Sequence, residues 1–277
     1  MRLIFTLFFG CLSLFASSSV WKISKDNHHI YIGGTIHMLR ASDYPLPLEY
    51  DRAYSDSEIV VFETDLEQND LIINKLYLKM LSDEHISKML SDRVYARLVD
   101  YTHRKKIDLE PIGHMKPWAV GLVLMLHSFA DIGLDEAGID MFYLLKAIDD
   151  NKERLILESI DEQLDVITAL DADGANEYID YVIDDLDRVQ EMFDEIVSSW
   201  REGDLETLKT EQLDYIKQSP NQYKILIKDR NKKWLSKIDS YFRDKKSLFV
   251  LVGLLHLAGE DGLLEELDRL GYSIEQL

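Results

Sequence analysis

The sequence is nearly free of cysteine. Of its 277 residues only Cys11 is a cysteine, and it lies in an apolar stretch at the start of the chain. Without that stretch the chain would hold no cysteine, which excludes disulfide bonds and catalysis by a thiol. Stability must then come from a hydrophobic core, and hydrophobic residues make up 46% of the sequence, enough to form one.

Positive charge is also scarce. The chain has 31 lysines and arginines against 51 acidic residues, for a formal net charge of −20. Nucleic acids and anionic membrane surfaces bind basic patches, so we expect neither as a partner. The excess of acid is typical of a solvated surface and would attract cations only weakly.

Long apolar runs are missing beyond the first residues, so no membrane span is predicted in the mature chain. The start of the chain has a basic residue, an apolar run over residues 3–15 and small residues at 16–18. This pattern predicts a signal peptide over residues 1–18, a single domain over 19–277 and a periplasmic or secreted location. A lipoprotein anchored through Cys11 is not expected, because apolar residues continue after it.

The sequence has no HExxH, Walker loop, Gly-x-Ser-x-Gly elbow or dinucleotide fingerprint. It has instead two Gly-x-x-His sequences, each at the end of an apolar run typical of a buried strand. Residues 30–37 (IYIGGTIH) end at His37, and residues 248–256 (LFVLVGLLH) end at His256. Ligands of open α/β sheets bind beyond the carboxyl ends of the strands. Two such strands side by side would therefore direct both histidines into one crevice.

The segments around these motifs predict an α/β fold. Residues 21–24 and 30–33 indicate a strand pair, residues 48–55 a helix and residues 57–64 a buried strand that ends at Glu63. This is a βαβ pattern with parallel strands, which would bring Glu63 out beside His37. A helix over 261–270 and a strand over 272–274 follow His256. We therefore expect a central mixed, mainly parallel sheet built from two related halves, each a strand, Gly-x-x-His, helix and strand.

A large helical insertion is predicted between the halves, over about residues 66–246. A strand over 152–159 interrupts it and ends in Glu158, a second carboxylate at a strand terminus. The insertion is long enough to close over the crevice as a lid. The helical periodicity predicts helices over residues 69–81, 91–105, 116–130, 139–150, 161–169, 175–200, 204–218 and 230–242.

Histidine nitrogen and carboxylate oxygen together suit a divalent metal such as Mn, Co, Zn or Fe. His37, Glu63 and His256 are a candidate set of three ligands, which would leave positions open for water and substrate. A bound metal would supply hydroxide for attack on a carbonyl. Without a metal, the same residues could act as general acids and bases. Composition and spacing leave both possibilities open.

A longer set of motifs resembles the TraB/GumN family, whose relatives include the animal Tiki metalloproteases. The motifs occur in the family's order and cover nearly the whole chain after the predicted signal peptide. They are GGTIHML (33–39), VVFETD (60–65), KPW (116–118), EAGID (136–140), LESIDEQ (157–163), DRN (229–231) and VLVGLLHLAGEDGLLEELDRLGY (250–272).

The resemblance implies a site made from both Gly-x-x-His motifs and the first acidic strand end. His37, Glu63 and His256 would bind the metal, with Glu63 also counted among the catalytic residues. Asp140 of EAGID would orient groups in the site or serve as a helix N-terminal acid. Glu158, Arg230 and Asn231 would complete the site.

Arg230 would stabilise an oxyanion or hold a substrate carboxylate, and Glu158 or a metal-bound water would act as base. Without the family, Arg230 would be interpreted as a helix-surface residue. The predicted function is an exported, divalent-metal-dependent hydrolase of peptides or proteins. The alternative is a non-catalytic periplasmic binding or regulatory protein that sequesters a peptide or haem-like ligand. A third possibility is a metal-free, esterase-like enzyme that uses histidine alone and is insensitive to chelators.

Overall fold

The computed structural model describes residues 18–244 and 246–277. Residues 1–17 of the predicted signal peptide, including Cys11, therefore lie outside the described residues. Ser18 is buried, and its N–H donates a hydrogen bond to the Leu277 carbonyl at 2.8 Å. Ser18 thus already belongs to the fold, one residue before the predicted domain boundary.

The centre of the fold is a six-stranded sheet. The strands in the described part of the chain are β1 (Val20–Lys25), β2 (His28–Thr35), β3 (Met38–Leu39), β4 (Ile59–Phe62), β5 (Glu136–Ala137), β6 (Glu153–Ile156), β7 (Leu248–Gly253) and β8 (Ser273–Gln276). The order across the sheet is β6-β4-β7-β2-β1-β8, and β3 pairs with β5 separately.

The predicted mixed, mainly parallel sheet is confirmed. Strands β2, β7, β4 and β6 run parallel to one another, whereas β1 is antiparallel to both β2 and β8. The two Gly-x-x-His strands are direct neighbours, with Gly33 opposite Leu251. Because β7 lies between β2 and β4, Glu63 follows the strand next to that of His256. The division into two related halves stays a prediction.

Local sequence explains the central strands. The β1–β2 hairpin turns at Asp26 and Asn27, whose φ angles of 50° and 62° suit residues that tolerate the left-handed region. Strand β7 is apolar and buried from Leu248 to Val252, as expected for a central parallel strand covered on both faces. Gly34 permits close packing, because a Cβ there would lie 2.6 Å from Leu254 Cδ1.

Helices fill most of the chain between β4 and β7. The helices of the described residues are α1 (Leu48–Asp56), α2 (Asn69–Met80), α3 (Ile86–Met89), α4 (Asp92–Lys105), α5 (Leu109–Ile112), α6 (Pro117–Asp131), α7 (Ile139–Asp149), α8 (Ile160–Ile167), α9 (Ala175–Leu186), α10 (Val189–Glu202), α11 (Leu205–Gln218), α12 (Pro220–Tyr223), α13 (Asp229–Arg243) and α14 (Leu263–Arg269). A π-helical turn, Lys224–Lys228, precedes α13. Short 3₁₀ turns occur at Ala41–Asp43, Leu66–Gln68 and Leu254–His256.

Seven of the eight helices predicted between β4 and β7 are present. The single helix predicted over residues 175–200 was wrong, because the chain forms α9 and α10 there. Asp187 ends α9, and Arg188 leaves the helical conformation with φ −118° and ψ 11°. The apolar period continues across this break, so the pattern alone could not locate it. The short helices α3, α5 and α12 were not predicted.

The helical segment has its own hydrophobic core. Leu98 of α4, Trp118 and Leu124 of α6, and Ile179 of α9 are buried in one cluster, separate from the cluster that covers the sheet. This second cluster explains how so long an insertion can be ordered. Across residues 18–244 and 246–277, no helix combines the length and apolar character needed to span a membrane.

Candidate functional site

The carboxyl edge of the parallel strands gathers four of the predicted residues. His37 lies two residues after β2, Glu63 directly follows β4, Glu158 lies two residues after β6, and His256 lies three residues after β7. Parallel strands end at a common edge, as the sequence predicted. The Glu158 backbone N–H also donates to the Glu63 carbonyl at 2.8 Å, which holds the two acidic strand ends together.

A buried arginine from α13 joins three of these side chains. Arg230 Nε and Nη2 donate to Glu158 Oε2 and Oε1 at 3.1 and 2.9 Å, a bidentate pair. Nη2 also donates to Glu63 Oε2 at 2.6 Å, and Nη1 donates to His256 Nε2 at 3.0 Å. We call Arg230, Glu63, Glu158 and His256 the arginine cluster. The planar guanidinium suits this task because its fork can bond several acceptors at once.

Helix α13 and its neighbours hold Arg230 in place. The residue is only 7% exposed, and its Cζ lies 4.4 Å from the centre of the Trp234 ring, one helical turn further on. Nη1 donates to the Leu226 carbonyl at 3.2 Å, and Nη2 donates to Gln163 Oε1 at 3.0 Å. Leu226 belongs to the π-helical turn, a feature frequent at functional sites.

Asn231 fixes the tautomer of His256. The Asn231 Oδ1 atom accepts a hydrogen bond from His256 Nδ1 at 2.6 Å, and its Nδ2 donates to the carbonyls of His256 and Asp261 at 3.0 and 2.7 Å. With the proton on Nδ1, Nε2 of His256 is free to accept from Arg230. Burial lowers the pKa of His256 to about 3, so this ring is neutral at physiological pH.

Glu63 is ionised in this setting. Burial opposes its charge, but the positive charges of Arg230 and His37, with the Gly253 N–H, outweigh burial and lower its pKa to about 2. Gly253 N–H donates to Oε1 at 2.6 Å, so the second Gly-x-x-His motif contacts Glu63 through its glycine. For Glu158, burial raises the pKa, and its hydrogen bonds from Arg230 and Trp234 oppose this.

His37 differs from the other members of the edge because its side chain is 65% exposed. Its Nδ1 lies 2.9 Å from Asp140 Oδ2, and Nε2 has no hydrogen-bond partner among the described residues. The negative charge of Asp140 raises the pKa of His37 to about 9, which keeps the ring positively charged at neutral pH. Solvent around the exposed ring weakens this attraction without reversing it.

The backbone brings Asp140 to His37. The Ile139 N–H at the start of α7 donates to the Ile36 carbonyl at 3.1 Å, and a Cβ on Gly138 would lie 2.3 Å from the His37 carbonyl oxygen. Only glycine permits this approach. Asp140 Oδ1 is buried and has no hydrogen-bond partner within the described residues.

All six predicted site residues therefore lie at one edge of the sheet. Direct hydrogen bonds link Glu63, Glu158, Arg230, Asn231 and His256, and His37 interacts with Glu63 through charge. Sequence reasoning did not single out Trp234 or Gln163. The sequence could have indicated both residues, since Trp234 lies four residues after Arg230, one helical turn away, and Gln163 lies within the LESIDEQ motif.

The donor types of His37, Glu63 and His256 suit a divalent metal, but their arrangement does not fit one. Glu63 Oε2 and His256 Nε2 both face the Arg230 guanidinium. Within residues 18–244 and 246–277, no three His, Cys, Asp or Glu side chains are grouped so that they could hold a metal ion. Metal binding stays a prediction, and it would require Arg230 to withdraw from both donors.

Comparison with known proteins agrees with the motifs. No curated protein sequence and no solved structure matches the chain. The sequence model of the TraB/PrgY/gumN family matches residues 19–276, nearly the whole chain and every segment that forms the site. The chain therefore belongs to the TraB/PrgY/gumN family.

Proposed function

We propose that the chain is a hydrolase of the peptidase type, whose active site lies at the carboxyl edge of the parallel strands and includes His37 and the arginine cluster. One observation supports this most directly. An exposed, charged imidazole, His37, whose Nε2 has no hydrogen-bond partner among the described residues, lies at the same sheet edge as an ionised carboxylate, Glu63. A charged donor and an anionic acceptor are the pair needed to polarise a carbonyl and to orient water.

His37 and Glu63 would share the chemical step. His37 Nε2–H donates a hydrogen bond to the substrate carbonyl oxygen and stabilises the negative charge that forms there. Asp140, on Nδ1, keeps the ring charged and oriented. Glu63 accepts a hydrogen bond from the attacking water and takes its proton as the water adds to the carbonyl carbon. The same proton then passes to the leaving amine.

The remaining residues would act through these two. Arg230 is buried and has its hydrogen bonds directed to the protein, so we propose that it holds Glu63 ionised rather than contacting the substrate. Glu158 lies behind Arg230, buried and bonded to it twice, and is thereby a positioning residue rather than the base. Asn231 holds His256 as a neutral acceptor for Arg230.

The metal-dependent form of this function is a separate proposal with its own requirement. Of the three predicted metal ligands, only His37 has a ligating atom, Nε2, without a hydrogen-bond partner among the described residues. Asp140, on the other ring nitrogen, resembles the carboxylate that supports many metal-bound histidines. Glu63 Oε2 and His256 Nε2 would first have to exchange Arg230 for the metal. Stripping metal from the protein separates the two forms, because only the metal-dependent one loses activity.

A second candidate function is ligand sequestration without turnover. The observation in its favour is that the arginine cluster satisfies its own hydrogen bonds, which leaves few groups to drive chemistry. The exposed His37 would then bind an anionic group of a peptide or a haem-like ligand. Such a protein would take up its ligand stoichiometrically and form no product.

The proposal is tested with the mature chain and a peptide library analysed by mass spectrometry. His37→Ala should abolish cleavage and leave the fold intact, because the ring is exposed and its loss removes little packing. His103→Ala is a matched control, since His103 is an exposed histidine at the end of α4. Cleavage that survives in His37→Ala would refute the assignment. Because a signal peptide is predicted, we propose that this activity lies outside the cytoplasm.

A further inference from the structure

The arginine cluster contains a cation of its own. Two of the three donor atoms expected to bind a metal, Glu63 Oε2 and His256 Nε2, bond instead to Nη2 and Nη1 of Arg230 at 2.6 and 3.0 Å. The third expected ligand, His37, points its bonded nitrogen at Asp140. The guanidinium thus lies on the side of Glu63 and His256 that a metal ion would need.

The contacts of Arg230 surround its whole fork. Glu158 bonds the edge formed by Nε and Nη2, and Nη2 also reaches Glu63 and Gln163. Nη1 reaches His256 and the Leu226 carbonyl. With acceptors on every nitrogen, the guanidinium has no open direction into which it could turn to make room for a second cation.

Burial also keeps Arg230 in place. Arg230 as a residue is 7% exposed, its guanidinium packs on the Trp234 ring, and Glu158 is 3% exposed. Withdrawal of the guanidinium would leave two carboxylates, Glu63 and Glu158, buried without a partner, which is strongly unfavourable. A divalent ion that approached Glu63 would instead meet the positive charge of Arg230 at short range, where like charges repel.

We propose that the Arg230 guanidinium takes the place of a metal ion in this site and keeps divalent cations out of it. Removal of its charge should then create a metal site from Glu63, Glu158 and His256, because all three side chains bond the guanidinium and would be free to converge on a cation once it is gone. The inference rests on the same residues as the proposed function, but it makes no use of a substrate.

The test is Zn²⁺ and Mn²⁺ binding, measured by elemental analysis after dialysis and by competition with a coloured chelator. Wild type and Arg230→Lys, which keeps the positive charge, should bind no stoichiometric metal. Arg230→Met should bind one equivalent of Zn²⁺ per chain and gain thermal stability when Zn²⁺ is added. Adding His256→Ala to Arg230→Met should remove the bound Zn²⁺. Arg154→Met is the matched control, because Arg154 pairs with Glu67 on the protein surface.

A second neutral variant guards against loss of fold. Arg230→Gln removes the charge and keeps a donor for Glu158, and circular dichroism shows which variants are folded. The inference would be overturned if wild type bound one equivalent of metal that is lost in His256→Ala. It would also be overturned if a folded Arg230→Met or Arg230→Gln variant bound no metal. Because no substrate is present, a protein without peptidase activity can still pass this test. The inference and the proposed function can therefore fail separately.

Discussion

The hydrogen-bonded ion pair between Glu158 and Arg230 should contribute to the free energy of unfolding. Glu158→Gln keeps the size of the side chain but places an amide N–H₂ against the guanidinium, donor against donor. Removing one partner of a buried ion pair costs about 3–5 kcal/mol. Burial raises the pKa of Glu158, so the charge is itself costly, and its loss offsets part of this penalty. Arg230 also keeps Glu63 as a counter-ion.

We therefore expect Glu158→Gln to lower the free energy of unfolding by about 2–3 kcal/mol. In a chain of this size, that corresponds to a fall in Tm of about 5–10 °C. The assay is urea denaturation followed by circular dichroism, with the denaturant slope checked for constancy. Glu153→Gln is the control, since Glu153 is an exposed residue of β6, the strand that leads to Glu158, and its replacement should change stability by less than about 0.5 kcal/mol. Equal stability of Glu158→Gln and wild type would refute the view that Glu158 anchors Arg230.

Three further predictions concern the histidines and the approach of α7. If protonated His37 polarises the carbonyl, the hydrolysis rate falls as pH rises through about 9, whereas a rate that rises there would make His37 a base. His256 has a pKa of about 3 in the fold against 6.5 in the unfolded chain, so unfolded chains bind the extra proton between these values. Its contribution to stability, complete above pH 6.5, should decline by up to about 1.4 kcal/mol per pH unit as pH falls toward 3, and His256→Gln should flatten this slope in urea denaturation. Gly138→Ala would place a Cβ 2.3 Å from the His37 carbonyl oxygen and should cost about 1–3 kcal/mol, also measured by urea denaturation.

The sequence predicted the edge of the sheet well because local patterns specify it. Apolar, β-branched runs that end in glycine or acid located β2, β4, β6 and β7, and the rule that parallel strands share a carboxyl edge placed His37, Glu63, Glu158 and His256 together. Period and length also located the long helices. The pattern failed at Arg188, where one apolar stripe runs through two helices, because a break in the backbone need not interrupt the stripe.

The inside of the site could not be predicted in the same way. Arg230 lies 167 residues from Glu63, and its sequence neighbours, Asp229 and Lys232, suggest a solvent-exposed helix face. The burial of Arg230 depends on Trp234 and on the packing of α13 against the sheet. This packing cannot be inferred from a local sequence pattern. The Asp140 contact likewise depends on Gly138, whose close approach to His37 is a tertiary feature.

The position of Arg230 also separates two sites with the same residue types. From sequence alone, two histidines and a glutamate suggest a metal centre. In the fold, an arginine bonds the atoms that the metal would need. Residue types and spacing thus identified where the site is, and the hydrogen-bond partners of each atom were needed to propose how it acts.

The most direct test of this account is peptide cleavage by metal-stripped mature protein, followed by mass spectrometry with and without added chelator. We predict that cleavage persists in the chelator and is lost in His37→Ala, whose circular dichroism spectrum matches that of wild type. Cleavage that stops in the chelator and returns with Zn²⁺ or Mn²⁺ would contradict the arginine-centred site. Stoichiometric uptake of peptide without any product would contradict catalysis itself.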